Sequence, residues 1–238
     1  MNRNEHNREQ TDYFSAAVKP TMVPERTPYI ERQIDEVVRY AGIQQGSRVL
    51  EVGCGMGRYT LGLASRGIAI EGLDLVPFLL AKLKEFAGER HIPLYCADVV
   101  EPPPELLGAF DTLIGFFALH HMHDLDACYR SMARLLKPGG SIVFLEPNAW
   151  NPLYYLQVLL TPGMTWKGDR GIVDMRRGRI FRAMRDAGLV DLDLRRFGFF
   201  PPQIYNRPFG RKLDHSIAGI RILNPVLPFQ MFKGSAPR

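Results

Sequence analysis

Glu51, Gly53, Gly55 and Gly57, in "RVLEVGCGMGRYTLGLASRG", stand between an apolar run and a helical pattern. Glycines at such a turn let backbone N–H groups and the positive end of a helix approach a ligand closely. Their G-x-G-x-G spacing differs from the G-x-G-x-x-G of nicotinamide-binding turns. A carboxylate so close to the turn repels a pyrophosphate at low dielectric and suits a ligand with a cationic centre. Asp74, 21 residues after Gly53, closes the run "IAIEGLD". An acid there accepts both hydroxyl hydrogens of a ribose and does not choose between nucleoside cofactors. Farther on, "FFALHHMHD" supplies His120, His121 and His123, imidazoles that titrate near neutrality.

These residues need a frame that brings them to one edge. The sequence alternates short apolar runs with helical stretches: strands are expected at Arg48–Val52, Ile68–Asp74, Pro93–Asp98, Phe110–Gly115 and Ser141–Leu145. Helices are expected near Thr60–Ser65, Phe78–Ala87 and Leu125–Leu136, and "PYIERQIDEVVRYAG" places Ile30, Ile34, Val37, Val38 and Ala41 on one helical face. Strands separated by helices imply right-handed crossovers and a parallel sheet covered on both sides. In such a sheet ligands bind beyond the carboxyl ends of the strands, where the glycine turn, Asp74 and the histidines all fall. Past Pro147 the pattern becomes aromatic and proline-broken, then "RIFRAMRDAGL" reads as a helix and "VDLDLRRFGFF" and "LPFQMFKGS" as two last strands.

Bulk properties agree with one large α/β domain: 238 residues, 46% of them hydrophobic. Three scattered cysteines without a CxxC pair favour reduced thiols over a disulfide framework or a zinc cluster. No run reaches the ~18–20 apolar residues of a membrane helix, and the polar N-terminus lacks a signal-peptide core, so a cytoplasmic protein is expected. The net charge of +5 is concentrated between Lys167 and Lys212, where 12 basic residues face 5 acidic ones. That stretch fits an anionic partner or a solvated face.

The turn through Glu51, Gly53, Gly55 and Gly57 resembles that of the class I S-adenosylmethionine-dependent methyltransferases, and the resemblance runs from about Tyr29 to Pro147. It implies an α/β Rossmann-like fold, a doubly wound, mostly parallel seven-stranded sheet with the last strand antiparallel. It also implies S-adenosyl-L-methionine as cofactor and S-adenosyl-L-homocysteine as product. On this reading the turn, with Cys54, wraps the methionyl part, and Asp74 with Leu75 holds the ribose. Asp98, closing "PLYCAD", accepts from the adenine amino group with the Val99 N–H beside it; a helix N-cap is the other explanation of Asp98. Gly115 and Phe116 line the wall at the cofactor's reacting end with Phe117, and Tyr13 with Phe14 belongs to an aromatic lid, a loose tail with incidental aromatics being the other explanation. "LLKPGGSIVFLEPN" matches the family's turn before the fifth strand and that strand itself. Residues 1–44 then form a lid and amphipathic helix, 45–148 the cofactor-binding core, 149–190 a substrate-side insertion, and 191–238 the strands that complete the sheet.

Methyl transfer from a sulfonium is an in-line displacement in which alignment supplies much of the catalysis. His121 or His120 is the base where the acceptor holds a proton; capping or packing beneath the cofactor is the alternative. No metal site is expected, because neighbouring residues on a strand edge point different ways. Glu146 and Asn148 end the fifth strand at the same rim and are placed at the acceptor, with an Asx turn an equal account of Asn148. Trp150, Leu153, Tyr154, Tyr155, Leu156, Leu159 and Trp166 make an apolar wall with Arg170, Arg176 and Arg177 near it. That combination suits a small aromatic or lipid-like acceptor carrying an anionic group, such as a quinone-type intermediate, and equally suits a packed lid. Nucleic acid is the first rival, but no Asn/Asp-Pro-Pro-aromatic tetrapeptide follows the fourth strand. A non-catalytic cofactor-binding module is the second rival and a nicotinamide dehydrogenase the third; pairing with a second copy is left open.

Overall fold

The computed structural model describes residues 2–18, 20–152, 154–155 and 170–238. The expected apolar positions Leu153, Leu156, Leu159 and Trp166 lie outside the described residues. Seven strands form one sheet: β1 (Arg48–Val52), β2 (Ala69–Asp74), β3 (Leu94–Cys96), β4 (Phe110–Phe116), β5 (Leu136–Pro147), β6 (Val190–Phe197) and β7 (Phe229–Ser235). Their order is β3-β2-β1-β4-β5-β7-β6. The first five are mutually parallel, and β7 runs antiparallel to both β5 and β6. This is the doubly wound sheet expected from the alternation of runs, with its strand order reversing between β1 and β4.

Side chains alternate across a strand, so successive residues of β1 serve opposite layers. Leu50 and Val52 join Leu113, Phe144 and Phe232 beneath α5 (Leu125–Leu135) and α6 (Arg177–Asp186). Val49 joins Ile70, Ile114, Val143 and Met231 beneath α2 (Pro28–Ala41). Each fully buried Leu, Ile or Phe contributes about 1.5–3 kcal/mol over leaving it in water. The α2 helix starts at Thr27, whose hydroxyl accepts from Ile30 N–H, and turns Ile30, Ile34, Val37 and Ala41 inward. Two short helices follow the first two strands, α3 (Thr60–Ala64) and α4 (Pro77–Ala87).

Three elements depart from the sequence expectation. The polar N-terminus is helical, α1 (Arg3–Ser15), and buries no residue. Its start is set by a capping box, Asn2 accepting from Glu5 N–H while the Glu5 carboxylate accepts from Asn2 N–H. The β5 strand begins at Leu136 rather than Ser141, because Gly139 and Gly140 pair with Pro237 and Ala236. Between β6 and β7 stands a helical lobe spanning 198–228, with α7 (Pro202–Tyr205), α8 (Pro208–Ala218) and a 3-10 helix at Arg221–Val226. Buried Asp214 fastens it: one oxygen accepts from Phe199 and Phe200 N–H, the other pairs with Arg32 of α2.

Candidate functional site

The carboxyl ends of β1, β2, β4 and β5 share one rim, and the turn after β1 shows what its glycines are for. A Cβ on Gly53 would lie 2.6 Å from Ala118 Cβ, and one on Gly57 would lie 2.7 Å from Leu83 Cγ. These two glycines serve close packing of protein against protein. Gly55 differs, for among the described residues the only atom within 4 Å of its missing side chain is Met22 Cε at 3.4 Å. Of the three expected to leave backbone bare for a ligand, Gly55 is the one whose Cβ direction no packed neighbour fills. All three have positive φ, from +54 to +85°, so a side chain strains the backbone even where space remains.

Carboxylates converge behind the turn. Asp74 is buried and uses both oxygens, Oδ2 accepting from Gly55 N–H at 2.8 Å and Oδ1 from Val76 N–H at 2.9 Å. Burial pushes its carboxyl upward while the N–H groups of Val76, Gly55 and Leu75 pull it down. Glu51 is 1% exposed and accepts from Thr60 Oγ1 at 2.6 Å. Desolvation pushes Glu51 up to about 8, against the Thr60 hydrogen bond and helped by the Asp74 charge. Among the described residues no Lys, Arg or His pairs with it. A desolvated acid without a counter-cation, beside an unobstructed glycine and a second carboxylate, fits a nucleoside with a positive methionyl end. Cys54 points the other way, into Leu80 and Leu83, where burial holds its thiol protonated. Leu75 packs with Met56, Val76 and Leu79.

Asp98 lies in a turn of its own, Oδ1 accepting from Val100 N–H at 2.9 Å, while Oδ2 accepts from Asn7 Nδ2 of α1 at 2.7 Å. Val99 is buried beside it. The α1 helix continues over the rim. His6 Nε2 donates to the His121 carbonyl at 2.8 Å, and Phe14 sets its ring 5.1 Å from that of His121 and 5.0 Å from Tyr13. Arg58, at the foot of the turn, donates to Val23 O and pairs with Glu25, holding the segment that carries Met22. Asn7, Thr60 and Met22 escaped sequence reasoning because none belongs to a spaced motif.

After β4 the chain turns sharply at Phe117, whose φ of +55° is a strained conformation for a bulky residue. The strain is fixed from below by Glu146, fully buried at the end of β5. Its Oε1 accepts from Ala118 and Leu119 N–H at 2.8 Å each, and its Oε2 meets His120 Nδ1 at 2.6 Å. His120 thus has one ring nitrogen committed to a buried carboxylate, an arrangement that fixes the ring's plane and tautomer. Beside it is a small cavity of about 40 Å³, lined by Met122, His123, Asp174, Met175 and Arg179 among others. The returning segment is clamped there: a Cβ on Gly171 would lie 2.0 Å from the His120 carbonyl oxygen.

The remaining expected residues are distributed as follows. The Phe144 ring occupies the space where a Gly115 side chain would go, at 2.1 Å. Phe116 stacks on Tyr59 with centroids 4.0 Å apart, and Phe117 packs on Phe229. Asn148 is wholly buried and donates to the Pro225 and Leu227 carbonyls at 2.8 Å each while accepting from Trp150 N–H. Its carboxamide is therefore occupied in tying β5 to the 198–228 lobe. Trp150 is 60% exposed with the Arg176 guanidinium 5.5 Å from its ring centroid, and Tyr154 is partly buried against the core.

A seven-stranded sheet of this order, with a glycine turn and acids on its carboxyl rim, defines the class I methyltransferase fold. Comparison with known proteins agrees. Residues 50–144 match the family model described as a methyltransferase domain. The ubiquinone biosynthesis O-methyltransferase of Chromobacterium violaceum is 30% identical over 175 residues, 71% of this chain and 75% of that protein. Among solved structures, a methyltransferase of Thermotoga maritima described as a possible histamine N-methyltransferase aligns with a TM-score of 0.65. That alignment covers 95% of this chain and 99% of the other at 15% identity. Geranyl diphosphate C-methyltransferase of Streptomyces coelicolor, solved with S-adenosyl-L-homocysteine, aligns with a TM-score of 0.60 over 97% of each chain at 16% identity. The chain belongs to the class I S-adenosylmethionine-dependent methyltransferases, and it is an enzyme that methylates a small molecule with that cofactor.

Proposed function

We propose that the protein O-methylates a small aromatic acceptor of the phenol or quinol type, with His120 as the base. The observation that carries this reading is the buried His120–Glu146 pair. A phenolic hydroxyl holds its proton at neutral pH, so its oxygen attacks well only if a positioned base takes that proton. Glu146 accepts from His120 Nδ1–H, the tautomer that puts the ring's basic lone pair on Nε2. The likeness to ubiquinone biosynthesis O-methyltransferases supports the same acceptor chemistry.

S-adenosyl-L-methionine supplies a methyl group on a sulfonium with a neutral thioether as leaving group. Gly55 and its neighbours give the backbone surface for the methionyl chain, and Glu51 faces its positive charge. Asp74 accepts from the ribose hydroxyls and Asp98 from the adenine amino group; Leu75 and Val99 flank the nucleoside, and Tyr13 covers it. Gly115, Phe116 and Phe117 back the reacting end. Tyr154, Trp150 and Arg176 border the acceptor. His121 packs between His120 and Phe14 and keeps water from the base.

The test is turnover of labelled cofactor with a panel of catechols and hydroxylated quinols. His120→Gln is expected to lower kcat by about 10²–10⁴-fold and to leave cofactor affinity unchanged. A His120→Gln enzyme with unaltered kcat contradicts the assignment.

A further inference from the structure

The lobe at 198–228 lies on the same rim as the site. Its two ends are Phe197 and Phe229, paired with each other, and Phe229 pairs in turn with Pro147 at the end of β5. Asn148 and Asn151 donate to the carbonyls of Pro225, Leu227 and Val226, so Trp150, between these two asparagines, is held against the lobe.

The outer surface of this lobe is unlike the rest of the molecule. Ile222 is 84% exposed, Phe209 74% and Trp150 60%, and Leu213, Ile220 and Val226 are exposed beside them. Phe209 and Leu213 are four apart on α8 and so share a face, while Gly210 and Asp214 of the same helix turn inward. Large apolar side chains exposed in this number on one lobe and beside it mark a binding face. The charges among them all have one sign. Arg207, Lys212 and Arg221 are exposed, and the lobe's one acid, Asp214, is buried against Arg32.

We propose that this face docks the protein on an anionic lipid surface. Apolar side chains ringed by cations enter the boundary between headgroups and acyl chains while the cations meet the lipid phosphates and carboxylates. Trp150 with Arg176 over its ring has the form of an interfacial anchor, one side apolar and one wet. A second copy of the chain is a poor occupant, since two such faces bring like charges together. No helix among the described residues is long and apolar enough to cross a membrane, and this attachment needs none. Docking would set the acceptor side of the rim against the bilayer, where an apolar phenol or quinol partitions. That last consequence rests on the function proposed above; the docking does not.

The experiment is co-sedimentation of the full chain, without cofactor or acceptor, with vesicles of phosphatidylcholine alone or with about 30 mol% phosphatidylserine. The protein is expected to pellet with the anionic vesicles only and to be released by salt. Phe209→Ser with Ile222→Ser, and separately Lys212→Glu with Arg221→Glu, should each lower partitioning by about tenfold or more. Both pairs are on the surface, and calorimetric cofactor binding checks that they still fold. Wild-type protein that stays in solution with anionic vesicles at low salt overturns the proposal, as does equal partitioning of the variants. A dimer that Phe209→Ser dissolves, without vesicle binding, overturns it in favour of a contact between copies. Because no turnover is read, failure of the methyl-transfer reading would show separately, in the labelled-cofactor assay.

Discussion

The two halves of the carboxyl rim are built differently. Around the glycine turn the carboxylates' partners are close in sequence or one strand apart, Glu51 with Thr60 and Asp74 with Gly55, and only Asp98 reaches a distant element, Asn7 of α1. On the other half, beyond the neighbouring-strand pair of Glu146 with His120, the partners come from distant segments: Asn148 with Pro225 and Leu227, and Gln230 with Met175. A site for a constant ligand fits within a short motif on rigid strand ends. A site for a variable one is assembled from long excursions, whose exchange leaves the first half undisturbed.

Glycine substitutions break this comparison most sharply. Gly53→Ala forces Cβ into Ala118 and keeps a positive φ, so a loss of about 3–5 kcal/mol of stability is expected in urea unfolding. Gly55→Val meets backbone strain and a movable Met22 methyl but no packed side chain, so it should lose only about 1–3 kcal/mol of stability yet lose cofactor binding in calorimetry. Equal destabilisation by both would mean that Gly55 is another packing glycine.

A smaller effect separates the halves from the other side. Asn148→Ala removes the donors to two lobe carbonyls and should cost about 2–4 kcal/mol. Hydrogen exchange should quicken across 198–228 while cofactor affinity stays put. If affinity falls as well, the halves are coupled.

The mildest probe is pH. The folded protein holds the Glu51 proton up to about 8, whereas the unfolded chain loses it in the ordinary carboxylate range. The stability from this group is thus complete at acid pH and is lost as pH rises through about 8, a decline of a few kcal/mol at most. Glu51→Gln, measured without cofactor, should flatten that decline. An unchanged slope would place the titration elsewhere.

These contrasts also explain what could be read from the sequence. Strands β1, β2 and β4 were legible because each is an apolar run ending in a residue with a task, and Glu51, Asp74 and the glycines carry a fixed spacing. Helix α1 was not, for it buries nothing and is held by a capping box and by polar contacts of Arg3, His6 and Asn7 to residues far along the chain. The 198–228 lobe was missed for a related reason: prolines break its period and much of its apolar surface faces outward. Glu146 was placed on the right rim, but its hold on His120 crosses from β5 to the turn after β4, which spacing does not encode. Asn148 illustrates the converse, since a residue at a promising position proves committed to the fold.

The central claim is that a cationic nucleoside lies across Gly55 between Glu51 and Asp74. Calorimetry of S-adenosyl-L-methionine near neutral pH, in two buffers of different ionisation enthalpy, tests it most directly. The account predicts binding that releases close to one proton in wild type, as the ligand's charge ionises Glu51, and none in Glu51→Gln; Asp74→Ala should bind at least about tenfold more weakly, having lost charge-assisted hydrogen bonds. Wild-type binding with no proton released, or full affinity in Asp74→Ala, would contradict it.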